Sequence, residues 1–351
     1  MNAQRHIPND ALGRPLTSLR ISVTDRCNLR CVYCMPEKEY TWTPRQEILT
    51  FEELSRLADL FLEIGVRKIR LTGGEPLLRK DLSTFIHILS QKSLIEDLAL
   101  TTNGILLKDL AKELYKRGLH RITVSLDTLK PDRFQKLTGN GLHHKVSAGI
   151  HEAKATGFKQ IKINSVIMKG INDDEILDLL EFGKQICAEV RFIEYMDVGG
   201  ATQWSVDQVF TRNEMLELIQ TQYGKVSPLS QNPQNPKIHR SPADRFALVD
   251  GTIFGIISST TAPFCQSCDR SRITADGIWY LCLYARDGVD LKQMLRSGIP
   301  DKEIKATLVE CWKQRRDRGA EERLRINDRG PLFHLAELKK NPHLEMHLRG
   351  G

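Results

Sequence analysis

The first two hundred residues repeat short strand-like runs and longer helix-like runs. Six runs have the length and composition of strands, and they cover residues 19–24, 66–72, 98–103, 121–127, 161–166 and 190–196. Runs with helical periodicity separate them, first from residue 50 and then at 81–92, 108–117, 144–156 and 174–186. Repeated strand–helix units predict a parallel sheet, either open or curled into a barrel.

Polar side chains alternate with apolar ones along four of these strands. The polar positions share one face and are Arg20, Ser22, Thr24, Arg70, Thr72, Thr123, Ser125, Asp127, Lys162 and Asn164. Buried parallel strands are usually apolar on both faces, and branched apolar side chains usually fill a closed barrel. The repeated polar face therefore favours a curled sheet whose interior binds a polar ligand. The alternative is that these side chains face solvent.

The pattern changes after Met196 and predicts two parts, residues 1–200 and 201–351. The elements of the later part are a helix from Thr211, a polar loop at 231–242, short strands at 245–249 and 252–257, a hairpin turning at Asp276 and Gly277, and two charged helices. The charged run at 313–323 predicts a solvated helix face, with nucleic-acid contact as the alternative.

The composition excludes a membrane-spanning chain. The 351 residues are 40% hydrophobic with a net charge of +7, and they contain no run of about 18 apolar residues. Residues 1–15 have the features of neither a secretory signal nor a transit peptide. We therefore expect a cytoplasmic protein with reduced thiols. The positive charge favours an anionic partner without choosing among nucleotides, nucleic acid and acidic membranes.

Six of the eight cysteines form two triplets. The spacings are C-x3-C-x2-C and C-x2-C-x13-C, and the members are Cys27, Cys31 and Cys34, then Cys265, Cys268 and Cys282. Structural zinc normally takes four protein ligands, whereas a four-iron cubane on three thiolates keeps one iron free for another molecule. We therefore expect an iron–sulfur cluster on each triplet, with zinc and a remote fourth ligand as the alternative. The isolated Cys187 and Cys311 are expected to be small buried apolar residues.

Two motifs resemble those of the radical S-adenosylmethionine superfamily. They are CNLRCVYC at residues 27–34 and GGEP at residues 73–76, after the second predicted strand. The resemblance implies an α/β fold with a partial (β/α)6 TIM-like barrel, a 4Fe–4S cluster on the first triplet, and S-adenosylmethionine on its open iron. It also implies that Tyr33, Gly74, Ser125 and Met196 contact S-adenosylmethionine. Plain core packing is the alternative for Met196.

From about Leu16 to its last residue the chain is similar to the GTP 3′,8-cyclase family of molybdenum-cofactor biosynthesis. The similarity rests on the run TDRCNLRCVYCMP, on the second triplet with DRSR at residues 269–272, and on the terminal Gly350 and Gly351. It implies a C-terminal α+β extension with a second 4Fe–4S cluster, whose open iron binds the guanine of GTP. The implied reaction is radical cyclisation of GTP to (8S)-3′,8-cyclo-7,8-dihydroguanosine 5′-triphosphate.

The same resemblance implies roles for individual residues. Contacts with GTP are implied for Arg20, Arg70, Thr101, Lys162, Arg270, Ser271 and Arg272. Catalytic roles are implied for Arg20, Arg270, Arg272, Gly350 and Gly351, with the two glycines inserted into the active site. Arginine and lysine suit a triphosphate because they form charge-assisted hydrogen bonds with it. The alternatives are internal ion pairs for Arg20, Arg70 and Lys162 and a frayed end for the glycines.

The resemblance also implies partners. These are an electron donor of flavodoxin or ferredoxin type, a cyclic pyranopterin monophosphate synthase that receives the product, and a second copy of the chain in a homodimer. Neither membrane nor nucleic acid is an expected partner. One alternative function is a radical S-adenosylmethionine enzyme that acts on a peptide or RNA. The other is a zinc-bearing nucleic-acid-binding module, which the net charge and the C-x2-C spacing would suit.

Overall fold

The structure is a computed structural model that describes residues 7–229 and 241–350. The predicted polar loop at 231–242 lies outside these residues except for its last two positions, and Gly351 lies outside them too. Within these two stretches no helix is long and apolar enough to cross a membrane.

The first part of the chain contains the six predicted strand–helix units. Their elements, in chain order, are β1 (Ser18–Ser22), α1 (Phe51–Glu63), β2 (Lys68–Thr72), α2 (Leu82–Ser90), β3 (Asp97–Thr102), α3 (Leu107–Lys116), β4 (Arg121–Ser125), α4 (Pro131–Thr138), α5 (His143–Thr156), β5 (Ile161–Ile167), α6 (Ile176–Ile186) and β6 (Glu189–Glu194). All six predicted strands are confirmed. Helix α4 was not predicted, because only Phe134 and Leu137 are apolar among its eight residues.

The later part adds shorter elements. These are α7 (Arg212–Tyr223), β7 (Ser227–Pro228), β8 (Asp244–Ala247), β9 (Ile253–Ile257), β10 (Arg270–Ile273), β11 (Ile278–Tyr280), β12 (Val289–Asp290), α8 (Leu291–Arg296), α9 (Asp301–Gln314), α10 (Gly319–Arg323), α11 (Leu335–Lys340) and α12 (Met346–Arg349). The predicted helix at Thr211 has its capping box with Glu214, and the hairpin at Asp276 and Gly277 joins β10 to β11.

All the strands belong to one sheet, in the order β12-β11-β10-β1-β2-β3-β4-β5-β6-β9-β8-β7. Strand β10 pairs parallel with β1, and β9 pairs parallel with β6, so the later part extends both edges of the six-stranded unit. One cavity is lined by residues from all eight parallel strands. The sheet is therefore curled around this cavity, and the segment 258–269, which also contributes to the lining, connects β9 to β10.

The two faces of the strands differ as the alternation predicted. Outward-facing residues such as Leu19, Ile69 and Ile122 are fully or almost fully buried against the helices. Inward-facing residues such as Arg20 and Thr123 line the cavity. The interpretation of these polar positions as solvent-facing sheet residues is therefore wrong.

The two isolated cysteines differ from each other. Cys311 is partly buried and packs against the core, as expected of a small apolar residue. Cys187 is exposed, so the expectation of burial is wrong for this residue. It ends α6 with a left-handed backbone, at a φ of 57°. The chain turns there toward β6, which leaves the thiol at the surface.

Phe61 tests how much the core around α1 contributes to stability. Its ring is fully buried and meets Trp279 of β11 edge-on, with 5.4 Å between ring centroids. We expect Phe61→Ala to lower the free energy of unfolding by about 3–5 kcal/mol, because it leaves a cavity between the two parts of the chain. Urea denaturation measures this loss. Val249→Ala, at a side chain that is 77% exposed, is the control and should change stability by no more than about 0.5 kcal/mol. A loss at Phe61 no larger than at Val249 would contradict the packing described here.

Candidate active site

The curled sheet encloses a cavity of about 1040 Å³. Its lining includes many of the residues to which sequence analysis gave a role, namely Arg20, Tyr33, Arg70, Thr101, Ser125, Lys162, Met196, Cys265, Cys268, Arg270, Arg272 and Cys282. A cavity of this size can hold a nucleotide-sized ligand.

Three arginines lie side by side on neighbouring strands of this cavity. Arg20 of β1 is in register with Arg70 of β2 on one side and with Arg272 of β10 on the other. Burial, reinforced by Arg121 for Arg70 and by Arg270 for Arg272, lowers the pKa of each of these two to about 9. Burial, together with the charges of Arg270, Arg272 and Arg70, also lowers the pKa of Arg20. We call Arg70, Arg20 and Arg272 the arginine row.

The arginine row has polar partners but no carboxylate partner within ion-pair distance in residues 7–229 and 241–350. Arg70 donates to the hydroxyls of Thr101 at 2.9 Å and Thr123 at 3.1 Å. Buried cations without a counter-ion are costly. For Arg20 and Arg70 the structure therefore favours an anion site over the internal ion pairs considered from the sequence.

A second group of cations lies where the strands begin. Glu189, the first residue of β6, accepts from Arg191 Nε at 2.6 Å and from Arg245 Nη2 at 3.1 Å. Its carboxylate also lies 3.6 Å from Lys162 Nζ. The internal ion pair considered for Lys162 is thus present, but one carboxylate is shared by three cations. The group keeps a net positive charge that an anionic ligand could neutralise.

Sequence analysis assigned no role to several charged residues that line the cavity. They are Lys68, Asp97, Arg121, Asp127, Glu189 and Arg191. The alternation could have found some of them, because Lys68 and Arg121 each precede an inward-facing residue by two positions on the same strand. Asp97 and Glu189 likewise precede the cavity-lining Ala99 and Arg191 by two positions, but the strands predicted from the sequence began one residue after each of them.

The first cysteine triplet lies in the loop after β1. Cys27 Sγ accepts from the backbone N–H of Leu29 at 3.4 Å, and Asn103 Nδ2 lies 4.0 Å from it. Burial raises the pKa of Cys27 to about 11, and burial with the neighbouring thiols also raises the pKa values of Cys31 and Cys34. Thiols in such a site ionise readily only beside a positive charge, which iron supplies.

Tyr33 connects this loop to the cavity. Among the described residues of the loop, Tyr33 lines the cavity and the three cysteines do not. Its hydroxyl donates to Asp127 Oδ2 at 2.6 Å. Burial, which the hydrogen bonds from Tyr33 and from Val166 only partly offset, raises the pKa of Asp127 to about 6. The loop is thereby held against the end of β4.

Gly74 has a packing function besides the ligand contact expected of it. Sequence analysis placed it in close approach to a ligand. A Cβ at Gly74 would instead lie 2.4 Å from the carbonyl oxygen of Arg26, in the backbone just before Cys27. Glu75 adds a backbone hydrogen bond to the same carbonyl at 2.7 Å. The glycine is therefore required for the turn to pack on the first cysteine loop, and its contact with S-adenosylmethionine stays a prediction.

The second cysteine triplet lines the cavity directly. Burial alone would raise the pKa of Cys268, but Arg270 and Arg315 lower it to about 7. Arg315 Nη2 lies 3.5 Å from Cys268 Sγ, and the backbone N–H of Tyr284 lies 3.5 Å from Cys282 Sγ. These donors resemble the hydrogen bonds to sulfur that tune iron–sulfur sites.

Ser271 is not brought to this cavity. It is almost fully buried between Arg270 and Arg272, in register with the outward-facing Leu19. Of the described residues of β10, Arg270 and Arg272 line the cavity and Ser271 does not. A contact between Ser271 and a ligand in the cavity would have to come from its backbone.

The two triplets lie at opposite ends of the sheet. Cys27 follows the carboxyl end of β1, whereas Cys268 precedes the amino end of β10, and these two strands are parallel neighbours. Strand β1 has five residues, which separates its ends by roughly 16 Å. Arg20 and Arg272 lie on the strands between the two triplets. A ligand in the cavity can therefore lie between the second triplet and Tyr33 of the loop that carries the first.

The end of the chain reaches the arginine row. The carbonyl oxygen of Gly350 accepts from Arg20 Nη1 at 3.2 Å, and that of Arg349 accepts from Arg272 Nη1 at 3.0 Å. A Cβ at Gly350 would lie 2.5 Å from Thr72 Cγ2 and 2.7 Å from Ser22 Oγ. The frayed end considered from the sequence is therefore wrong for Gly350, while Gly351 lies outside the described residues.

Comparisons with known proteins agree with this geometry. Residues 21–183 match the radical SAM superfamily, and residues 188–321 match the family described as Molybdenum Cofactor Synthesis C. GTP 3′,8-cyclase 1 of Mycobacterium tuberculosis is 52% identical over 97% of this chain and 95% of its own length. GTP 3′,8-cyclase of Staphylococcus aureus is 44% identical over 90% of this chain and 92% of its own. The chain belongs to the GTP 3′,8-cyclase family.

Solved structures support the fold. SuiB of Streptococcus suis bound to S-adenosylmethionine superposes with a TM-score of 0.57 at 18% identity, over 84% of this chain and 68% of that one. Together with family membership, this confirms the partial barrel with a C-terminal extension. Membership of the radical SAM superfamily implies a 4Fe–4S cluster and S-adenosylmethionine.

The residues present fit such a cluster. In residues 7–229 and 241–350, no three His, Cys, Asp or Glu side chains converge on a point where one metal ion could be held. A cubane makes a different demand, because each thiolate binds its own iron. Three partly buried thiols in one loop, Cys27, Cys31 and Cys34, with N–H donors beside Cys27, meet that demand. The cluster would supply electrons and an open iron for a small-molecule ligand at this end of the cavity.

Lys162 should make anion binding depend on pH. Burial, with Arg191 nearby, lowers its pKa to about 7, although Glu189 acts in the opposite direction. Below that pH the amine is charged in the free protein, and above it the charge is lost. We expect affinity for inorganic triphosphate to fall as the pH rises from about 6.5 to 8. Calorimetric titration measures it.

Lys162→Arg is the matched control for this prediction. Arginine keeps its charge across this range, so the variant should bind triphosphate with a flatter pH dependence. The ligand's own ionisation affects both proteins equally. Identical pH profiles for the two proteins would show that Lys162 does not titrate as described.

Proposed function

We propose that this protein is a radical S-adenosylmethionine enzyme that converts GTP to (8S)-3′,8-cyclo-7,8-dihydroguanosine 5′-triphosphate, the first step of molybdenum-cofactor biosynthesis. The observation that carries the proposal is that the second cysteine triplet lines the cavity, while Tyr33, from the loop of the first triplet at the opposite end of the sheet, lines it too. Arg20 and Arg272 lie on the strands between the two triplets. Relatives 42–52% identical over most of the chain carry the name GTP 3′,8-cyclase.

The first triplet, Cys27, Cys31 and Cys34, binds the cluster at which S-adenosylmethionine is cleaved. Bound there, the cluster and S-adenosylmethionine supply the 5′-deoxyadenosyl radical that removes hydrogen from C3′ of GTP. The protein's own part is positional. Tyr33, Ser125 and Met196 line the adjoining end of the cavity, where they orient S-adenosylmethionine and exclude water from it.

GTP lies across the other end of the cavity. Its triphosphate binds the cations at the strand starts, including Lys162, because this group has more positive than negative charge. Its guanine approaches the second triplet, which holds a second 4Fe–4S cluster with an open iron. Arg270 lies over the Phe264 ring at 4.6 Å beside this triplet, and Arg20 and Arg272 lie in register between the two triplets. In this pose C3′ faces the first triplet.

Several further parts of the proposal rest on family resemblance. The electron donor is of flavodoxin or ferredoxin type, and the product passes to cyclic pyranopterin monophosphate synthase. The chain forms a homodimer in the cytoplasm, and its organisation is a barrel of residues 1–200 followed by an extension of residues 201–351.

Product analysis tests the function. The protein is reconstituted anaerobically with iron and sulfide, reduced, and incubated with GTP and S-adenosylmethionine. We expect 5′-deoxyadenosine and the cyclic nucleotide in equal amounts, both dependent on GTP. Formation of 5′-deoxyadenosine only with a peptide or RNA would favour the alternative substrate class. If metal analysis found zinc in place of iron, the proposed radical chemistry would be wrong.

Iron content tests the second cluster separately from activity. The reconstituted protein should contain about eight iron atoms per chain, and Cys282→Ala should contain about four. Cys187→Ala is the matched control, because Cys187 is exposed and belongs to neither triplet, and it should keep all the iron. Equal iron in the Cys282 variant and the parent protein would show that the second triplet does not bind a cluster.

A further inference from the structure

The last turn of the chain is held by one buried arginine. Arg349 is only 1% exposed and is among the largest fully buried side chains. Its Nε donates to the carbonyl oxygen of His343 at 2.5 Å, and its Nη1 donates to that of Leu283 at 2.7 Å. The guanidinium also lies over the Tyr280 ring, 4.3 Å from its centroid.

These contacts join the tail to the loop of the second cysteine triplet. Leu283 directly follows Cys282, and Tyr280 is the last residue of β11. His343, the other acceptor, is itself fixed by a 2.5 Å contact between its Nε2 and Asp276 Oδ2 in the β10–β11 hairpin. The Arg349 side chain is therefore anchored on the hairpin that carries the second triplet.

The backbone of the same residue points the other way, toward the arginine row. The carbonyl oxygens of Arg349 and Gly350 accept from Arg272 and Arg20. Helix α12 has only four residues, which is too short to be stable alone. The position of these carbonyls therefore depends on what anchors the turn, and the Arg349 side chain supplies two hydrogen bonds of that anchorage.

Burying an arginine here costs desolvation free energy. Burial lowers its pKa, which shows that the charge is disfavoured there, and an apolar side chain of similar size would pack at less cost. Two charge-assisted hydrogen bonds to fixed carbonyls instead give a defined orientation. The fit required is narrow, because a Cβ at Gly350 would already overlap Thr72 and Ser22.

We propose that Arg349 is a positioning residue that locks Gly350 beside the arginine row through the loop of the second cysteine triplet. It does not touch substrate itself. The effect of the lock on turnover rests on the proposed function, whereas the lock itself is a property of the folded chain.

Hydrogen exchange with mass spectrometry on the reconstituted protein tests the lock without any turnover. We expect Arg349→Met to increase deuterium uptake strongly in a peptide covering residues 341–351, because the two anchoring hydrogen bonds are lost. Uptake over β3 and α3 and the iron content should stay unchanged. GTP-dependent 5′-deoxyadenosine should fall about tenfold or more, since each charge-assisted bond contributes about 1.5–3 kcal/mol.

Two further variants make the test specific. Arg349→Lys keeps the charge but has a single donor nitrogen, so compared with Arg349→Met it should restore part of both the protection and the activity. Arg325→Met is the matched control at an exposed arginine of the same region, and it should behave as the parent protein in both measurements.

The outcomes separate the lock from the function. Parent-like uptake over residues 341–351 in Arg349→Met would overturn the proposal, whatever the activity. A loosened tail with undiminished turnover would overturn the positioning role alone. If the parent protein forms no product from GTP, the proposed function fails, but the exchange data still decide the lock. If Arg349→Met also loses protection over β3, its effect is not confined to the tail. Deuterium uptake over residues 341–351 in Arg349→Lys then tests the proposal instead.

Discussion

The cavity depends on three buried arginines that lie in register on neighbouring strands. Arg70, Arg20 and Arg272 carry positive charge into the interior of a curled sheet, where desolvation lowers their pKa values. Hydroxyls and tail carbonyls satisfy some of their hydrogen bonds without cancelling the charge. Such a site favours an anionic ligand more strongly than a neutral one. The tail carbonyls hydrogen-bond to this row, and the second cysteine loop directly precedes the strand that carries Arg272.

The curled sheet explains how one ligand can lie between the two cysteine triplets. If β9 and β10 had formed a separate layer, the second triplet would lie on another surface. Instead, each strand extends one edge of the barrel sheet, and the segment between them carries Cys265 and Cys268 to the open side. Parallel pairing of β10 with β1 then places this triplet at the end of the sheet opposite the first one. The arrangement follows from strand order more than from any single contact.

Features encoded by near neighbours could be predicted from the sequence. The strands, most helices, the inward polar face and both cysteine spacings have periods or motifs within a few residues. Features that depend on distant parts of the chain could not. Nothing local shows that Gly74 packs on the carbonyl of Arg26. The role of the Glu189 carboxylate depends on Lys162, Arg191 and Arg245, and two of these lie on other strands. Ser271 shows a second limit of the sequence, because a motif match does not reveal on which face of a strand a residue lies.

The tail shows why position along the chain is a poor guide to order. A glycine near a chain end has high backbone entropy and no side chain to pack, so it would ordinarily fray. Here the residues before it supply the missing order. His347 packs edge-on against Tyr40 and Trp42 of the first cysteine loop region, while Arg349 is bound to the second. The turn is thus held from both sides of the cavity, and the entropy cost of fixing Gly350 is offset by neighbours that are already rigid. Glycine then suits the site, because no larger residue could lie between Thr72 and Ser22 at this distance.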